Sequence, residues 1–97
     1  MNITTISIKS KLGSFAENKD IAREIRLKRI IPALEKDHIV IIDFTGVTGA
    51  TQSFMHALIS EIIRLYGESA FDKLRFKNCS PVVKEVVSIV SEYMQES

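Results

Sequence analysis

Cysteine is nearly absent from this 97-residue chain, which has only Cys79. A single thiol cannot form an internal disulfide, and it cannot build a zinc site alone. The two histidines, His38 and His56, lack the spacing of metal ligands. The sequence therefore predicts a reduced, cytoplasmic setting, with no metal and no cofactor.

Long apolar runs and an excess of one charge are also absent. The longest apolar run, Ile39 to Ile42, is far too short to cross a bilayer, and the first residues lack the apolar core of a signal peptide. A net charge of +1 gives no strong overall field toward nucleic acid or an anionic membrane. Hydrophobic residues at 45% and charged residues at 26% are typical of a globular chain, so we expect one domain over residues 1–97.

Apolar periodicity predicts three strands. Ile6 and Ile8 alternate with polar residues, as do Leu74 and Phe76, which is typical of half-buried strands. The stretch His38 to Phe44 has consecutive apolar residues, so both faces of a strand there would be apolar. This predicts a central strand covered by helices on both faces.

Two helices are predicted with clear boundaries. From Thr51 to Gly67 the apolar residues fill one half of the helical wheel. Ser80 followed by Pro81 is typical of an N-cap and the first helical position of a last helix. Cys79 lies just before that helix, and we expect a buried structural thiol there rather than an activated one.

The stretch from Ser14 to Lys36 has two apolar faces, which no straight helix could bury together. Ser14 with Glu17 predicts a capping box at its start. Pro32 disfavours helical geometry at the residue before it, so we predict a kink or break between Arg26 and Pro32 and a second segment to about Lys36. The two predicted faces are Phe15, Asn18, Ile21, Ala22 and Ile25, and Leu27, Ile30, Ile31 and Leu34.

The alternation of strands and helices predicts the α/β class. We expect a single small β/α domain, with a mostly parallel sheet of three or four strands and helices packed on it. Sites in such sheets gather at the carboxyl ends of the strands, which here are the turns Asp43 to Ser53 and Asn78 to Pro81.

The segment Asp43 to Ser53 is the most distinctive, because it follows a buried strand and opens a helix. Gly46 and Gly49 predict a turn over Thr45 to Ala50. A phosphate on Thr51 or Ser53 would be stabilised by the helix N-terminus and would act as a local switch. The simpler interpretation is that Thr51 caps the helix and Ser53 is an ordinary first-turn residue.

The segment Asp43 to His56 also contains residue types that occur in nucleotide-binding proteins and in hydrolases. Its glycines suggest a phosphate cradle, but the lysine of a Walker A loop is missing after Gly49. Asp43, Ser53 and His56 are the residue types of a hydrolase triad, but two of them share one helix and no G-x-S-x-G elbow is present. We expect no enzyme; a small hydrolase or nucleotide-binding protein is the weaker alternative.

The stretch from Lys9 to Arg29 has seven basic and three acidic residues. A face of this kind could contact nucleic acid or an acidic partner, although such runs are usually solvated helix surface. A nucleic-acid-associated regulator that uses this face is therefore the second alternative.

Three segments together resemble the STAS-like family, a small relative of the sulphate-transporter and anti-sigma-factor-antagonist domain. They are Asp43 to Phe54, Phe15-Ala16-Glu17-Asn18, and Cys79 to Lys84. The resemblance covers nearly the whole chain and implies a non-catalytic β/α domain. In the antagonists, a partner kinase with a histidine-kinase-type ATPase fold phosphorylates a serine that matches Ser53. The phosphorylated form releases its partner, whereas the unmodified form binds it.

The resemblance makes regulated protein–protein interaction in bacterial-type signalling the predicted function, with Ser53 as phosphoacceptor. The expected partner is a histidine-kinase-like ATPase or a regulator, without membrane contact, and a homo-oligomer is left open. The predicted switch turn comprises Asp43, Thr45, Gly46, Thr48, Gly49, Thr51 and Gln52. The predicted partner surface comprises Met55, His56, Asn78 and Ser80.

Overall fold

Five short strands form two parallel sheets in the computed structural model, which describes residues 2–96. The larger sheet has the order β1 (Ile3–Ser7), β3 (Ile39–Asp43), β5 (Leu74–Lys77). The smaller sheet pairs β2 (Phe15–Ala16) with β4 (Gly49–Ala50). The predicted parallel sheet of the α/β class is confirmed, and its central strand is the predicted one.

Helices connect the strands. None of those described is long and apolar enough to span a membrane. The helical segments are α1 (Lys9–Leu12), α2 (Lys19–Ile25), a π-helix (Arg26–Ile30), α3 (Ile31–Glu35), α4 (Gln52–Tyr66), a 3-10 turn (Gly67–Ser69), α5 (Ala70–Lys73) and α6 (Pro81–Glu96).

The helices cover one face of the larger sheet. Val40 and Ile42 of the central strand are fully buried in the same core as the apolar side of α4. On the opposite face Ile41 is only half-buried, and its register partners Thr5 and Arg75 are exposed. The prediction of helices on both faces is therefore wrong. Only the central strand has apolar residues on both faces. The flanking strands are polar on the uncovered face apart from Ile3, which is 60% exposed.

The predicted change of helical face before Pro32 is present, but the helix does not break. A π-helix continues the backbone from α2 into α3, and Arg26 is its first residue. Because a π-turn spaces hydrogen bonds by five residues, Ile25 and Ile30 both reach the core. Leu27, which was predicted to share the face of Ile30, is 54% exposed.

The start of α2 differs from the predicted capping box. The Asn18 side chain accepts hydrogen bonds from the amides of Asp20 and Ile21, so Asn18 is the N-cap in place of Ser14. Phe15, which the prediction placed on the helix, lies in β2. The turn prediction over Thr45 to Ala50 was too long, since its last two residues form β4.

Both long helices begin where the sequence predicted. The Thr51 hydroxyl oxygen accepts a hydrogen bond from the Phe54 amide, and the Ser80 hydroxyl oxygen accepts one from the Val83 amide. Pro81 is the first residue of α6. These caps fix the N-termini that border the switch turn.

The π-turn predicts a sharp difference between two neighbouring apolar residues. Ile30→Ala should lower the free energy of unfolding by about 2–5 kcal/mol, because it leaves a cavity in the core. The exposed Leu27→Ala should change it by no more than about 0.5 kcal/mol. Urea titration followed by circular dichroism measures both values; similar losses for the two variants would contradict the π-helical phasing.

Candidate functional site

A cluster of hydrogen bonds joins the carboxyl ends of β3 and β5. Asp43 Oδ1 accepts from the Thr45 amide at 2.9 Å, from the Thr45 hydroxyl at 2.6 Å and from Asn78 Nδ2 at 3.2 Å. Asn78 Nδ2 also donates to Thr45 Oγ1 at 2.9 Å, and Asn78 has a left-handed φ of 58°. The Thr45 hydroxyl, the Thr45 amide and the Asn78 amide lower the pKa of Asp43, because they stabilise its charged form. Asp43 therefore orders the turn.

The rest of the turn is held by neighbouring segments. The Thr48 amide donates to the Ser14 carbonyl at 2.7 Å, the Ser80 hydroxyl donates to the Thr48 carbonyl at 3.1 Å, and the Thr51 amide donates to the Ala16 carbonyl at 3.0 Å. These bonds connect the turn to β2 and to the start of α6.

Gly46 and Gly49 are required for different reasons. Gly46 has a φ of 79°, and a Cβ there would lie 2.6 Å from Lys9 Cδ. At Gly49 a Cβ would lie 2.9 Å from Phe15 Cε1, on the paired strand. Gly46 thus serves the left-handed backbone of the turn, with the flexible Lys9 side chain beside it, and Gly49 serves close packing against Phe15.

Ser53 stands apart from this bonded turn. It lies in the first turn of α4 and is exposed together with Gln52. Within the described residues its hydroxyl makes no hydrogen bond, whereas the Thr51 hydroxyl caps the helix. Of the two predicted phosphate positions, Ser53 is the accessible one.

The predicted partner surface is only partly at the surface. Met55 is fully buried in the core, so its assignment to a partner surface is corrected. Asn78 is exposed but engaged with Asp43, and the half-buried Ser80 caps α6. His56 is exposed and lies one turn beyond Ser53.

A groove of about 660 Å³ runs between α2, α4 and α6 beside Ser53. Its floor is one strip of α4, which includes Ser53, His56, Ser60 and Arg64 at intervals of three or four residues. We call it the cationic groove. Its basic lining residues are Lys19, Arg23, Arg26, His56 and Arg64.

Arg26 is fixed in the wall of the cationic groove. Its Nη1 donates to the Ala57 carbonyl at 2.7 Å, and its Nε is buried without a hydrogen-bond partner among the described residues. Glu61 is the acidic residue of the lining, and it pairs with Arg64 at 2.9 Å.

The basic run Lys9 to Arg29 does not form one face. Lys19, Arg23 and Arg26 line the cationic groove, whereas Lys11, Lys28 and Arg29 line a second cavity of about 310 Å³. The run therefore supplies two separate basic surfaces, which corrects the prediction of a single one. Sequence reasoning missed the cationic groove, because three helices that are distant in sequence meet there.

Neither the residues of the hydrolase triad nor Cys79 form a reactive group. In residues 2–96 no hydrogen bond joins Asp43, Ser53 and His56, and Asp43 is committed to Thr45 and Asn78. Cys79 is half-buried, and this burial raises the pKa of its thiol despite its place before α6.

Comparison with known proteins identifies the fold family. Residues 22–84 match DUF4325, a STAS-like domain of unknown function. No curated protein and no solved structure matches the chain. The match covers more than half of the chain, including β3, the switch turn and α4, and it confirms the STAS-like resemblance.

The hydrogen bonds on Asp43 predict a pH effect. Since its pKa is lowered in the folded state, Asp43 contributes stability above the unfolded-state pKa of about 3.9, and this contribution is lost as the pH falls below it. Thr45→Val removes the hydroxyl that donates to Asp43, so the pKa of Asp43 should rise. The loss of stability that protonation of Asp43 causes at low pH should then be smaller. Carboxyl ¹³C NMR titration measures the pKa. Asp37, whose pKa is lowered by Lys73, is the internal control. An equal pKa of Asp43 in wild type and Thr45→Val would contradict the role of the Thr45 hydroxyl.

Proposed function

Because the chain belongs to the DUF4325 family of STAS-like domains, we propose that it is a non-catalytic regulatory module whose binding to a protein partner is switched by phosphorylation of Ser53. STAS-like domains are generally non-catalytic. The observation that carries the proposal is the exposed Ser53 hydroxyl at the start of α4, which makes no hydrogen bond within residues 2–96 and lies between the hydrogen-bonded turn and the cationic groove.

The surroundings of Ser53 suit a phosphate. Phosphorylation adds about two negative charges, which the N-terminus of a helix stabilises. The lysine and arginine side chains of the cationic groove lie on the same side of α4 as Ser53. The phosphate would therefore find favourable electrostatics without any change of fold.

A kinase could reach Ser53, because the neighbouring bulky residue Phe54 points into the core. We propose a histidine-kinase-like ATPase partner in the cytoplasm of a cell with bacterial-type signalling. The γ-phosphoryl group of ATP would move to Ser53 Oγ; ADP would leave, and the kinase would take up the hydroxyl proton. The unmodified domain binds its partner, and the phosphorylated domain releases it.

The two alternatives have less support. A nucleic-acid regulator would need a continuous basic face, whereas the run Lys9 to Arg29 is divided between two cavities. A hydrolase would need Ser53 and His56 joined to Asp43, which hydrogen-bonds to Thr45 and Asn78 instead.

Pull-down from host cells with wild type, Ser53→Ala, Ser53→Glu and Ser69→Glu tests the proposal. Ser69 is exposed beyond the last residue of α4, which lies about 20 Å from Ser53 at 1.5 Å per residue. The Ser69 hydroxyl donates to the Tyr66 carbonyl, so Ser69→Glu is a control for the added charge and not for the loss of a free hydroxyl. We expect one partner to be recovered with every protein except Ser53→Glu, and phosphate to be found on Ser53 by mass spectrometry. Equal recovery with all four, and no phosphate on Ser53, would refute the switch.

A further inference from the structure

We propose that the cationic groove binds an acidic segment of the partner protein, and that phosphorylated Ser53 competes with that segment for the same basic side chains. The second half of this inference rests on the proposed function. The first half concerns the unmodified protein, and it stands on the groove itself.

The charges of the cationic groove are unbalanced. Glu61 pairs with Arg64, which leaves Lys19, Arg23 and Arg26 without an ion pair among residues 2–96. Three unpaired cations along one wall attract carboxylates, and arginine side chains bind carboxylates through two parallel hydrogen bonds. The net charge of the whole chain is only +1, so this excess is local. The excess at the second cavity is smaller, because Glu24 pairs with Lys28 there.

Arg26 holds one of these charges in place before a ligand arrives. The π-helix begins at Arg26, and the Nη1 bond to the Ala57 carbonyl anchors the guanidinium against α4. Side chains fixed in this way lose less conformational entropy on binding. Arg26 also lies beside His56 and Ser60 in the same lining.

The opposite wall of the cationic groove is apolar and favours a peptide over a nucleic acid. Tyr93 is 67% exposed and Ile89 is 40% exposed, and both line the groove on α6. A peptide that carries carboxylates beside an aromatic or aliphatic side chain matches both walls. A phosphodiester strand carries no aliphatic side chain that would cover Ile89.

Ser53 lines the same groove, so its phosphate would be an internal competitor. A group attached to the chain has a high effective concentration near the cations that it can reach. A phosphate at Ser53 would neutralise basic side chains that the acidic segment needs. Release of the partner then follows from competition for charge.

Fluorescence anisotropy with the full, unphosphorylated chain tests the groove. The probe is a fluorescein-labelled peptide, Asp-Glu-Leu-Asp-Glu-Phe-Glu-Asp, and its control is the Asn/Gln version of the same sequence. Arg23→Glu reverses an exposed charge in the groove. Arg29→Glu makes the same arginine-to-glutamate change at an exposed residue that lines the second cavity and makes no ion pair among residues 2–96.

We expect the acidic peptide to bind and the neutral one not to bind. Arg23→Glu should weaken binding at least about ten-fold, the order of one charge-assisted hydrogen bond, while Arg29→Glu should stay within about two-fold. Circular dichroism of each variant confirms folding. Three outcomes overturn the groove assignment: absent or charge-independent peptide binding, equal effects of the two reversals, and tighter binding of single-stranded DNA that Arg23→Glu abolishes.

Competition is tested by the same assay with Ser53→Glu and Ser69→Glu. We expect Ser53→Glu alone to weaken peptide binding, several-fold or more. If Arg23→Glu weakens binding and Ser53→Glu does not, competition is overturned and the groove assignment stands. If the peptide does not bind while the native partner is still lost with Ser53→Glu, the switch holds and the groove assignment fails.

Discussion

Helix α4 is buried along most of its circumference, and both the core and the candidate site depend on this. Its large apolar residues share one core with the covered face of the sheet, and α2 and α6 flank it. The floor of the cationic groove is the remaining strip of α4, in which Ser53, His56 and Arg64 are exposed and Ser60 is buried. Ser53 lies at the N-terminal end of this strip. The packing that stabilises the domain therefore also determines which serine of α4 is accessible.

The hydroxyl groups near the strand ends divide into two kinds. Those of Thr45, Thr51 and Ser80 are hydrogen-bonded within the turn or to a helix N-terminus, and their loss would disturb the structure. In the part of the chain that the structure describes, the Ser53 hydroxyl makes no such bond, and Ser53 is exposed. A modification at Ser53 therefore leaves the turn intact, while a modification at Thr51 would remove a helix cap.

The larger elements could be predicted from the sequence, because their residues repeat with a local period. The strands around Ile6, Ile41 and Phe76 and the helices α4 and α6 all follow such patterns. The pairing of β2 with β4 could not, since two residues carry no period and their partners lie more than thirty positions away. The covered face of the sheet also escaped prediction, because it depends on where the helices pack.

The candidate site was predictable in part. Ser53 and the turn residues follow from the strand–turn–helix pattern and the family resemblance. Met55 belonged to the apolar side of the helical wheel, and that pattern alone would have placed it in the core. The cationic groove needed the structure, although the strip Ser53, His56, Ser60, Arg64 repeats at helical intervals in the sequence.

The π-helix determines how this chain tolerates changes of length. Removal of one residue between Arg26 and Ile30 would let the backbone form ordinary α-helical hydrogen bonds without loss. Ile25 and Ile30, which are five positions apart, would then be four apart, and that spacing keeps both on one face of an α-helix. Ile30 would therefore stay in the core. In relatives with a similar groove, loss of one residue should be tolerated within this turn, whereas the same loss elsewhere in the long helices would rotate the residues that follow by about 100°.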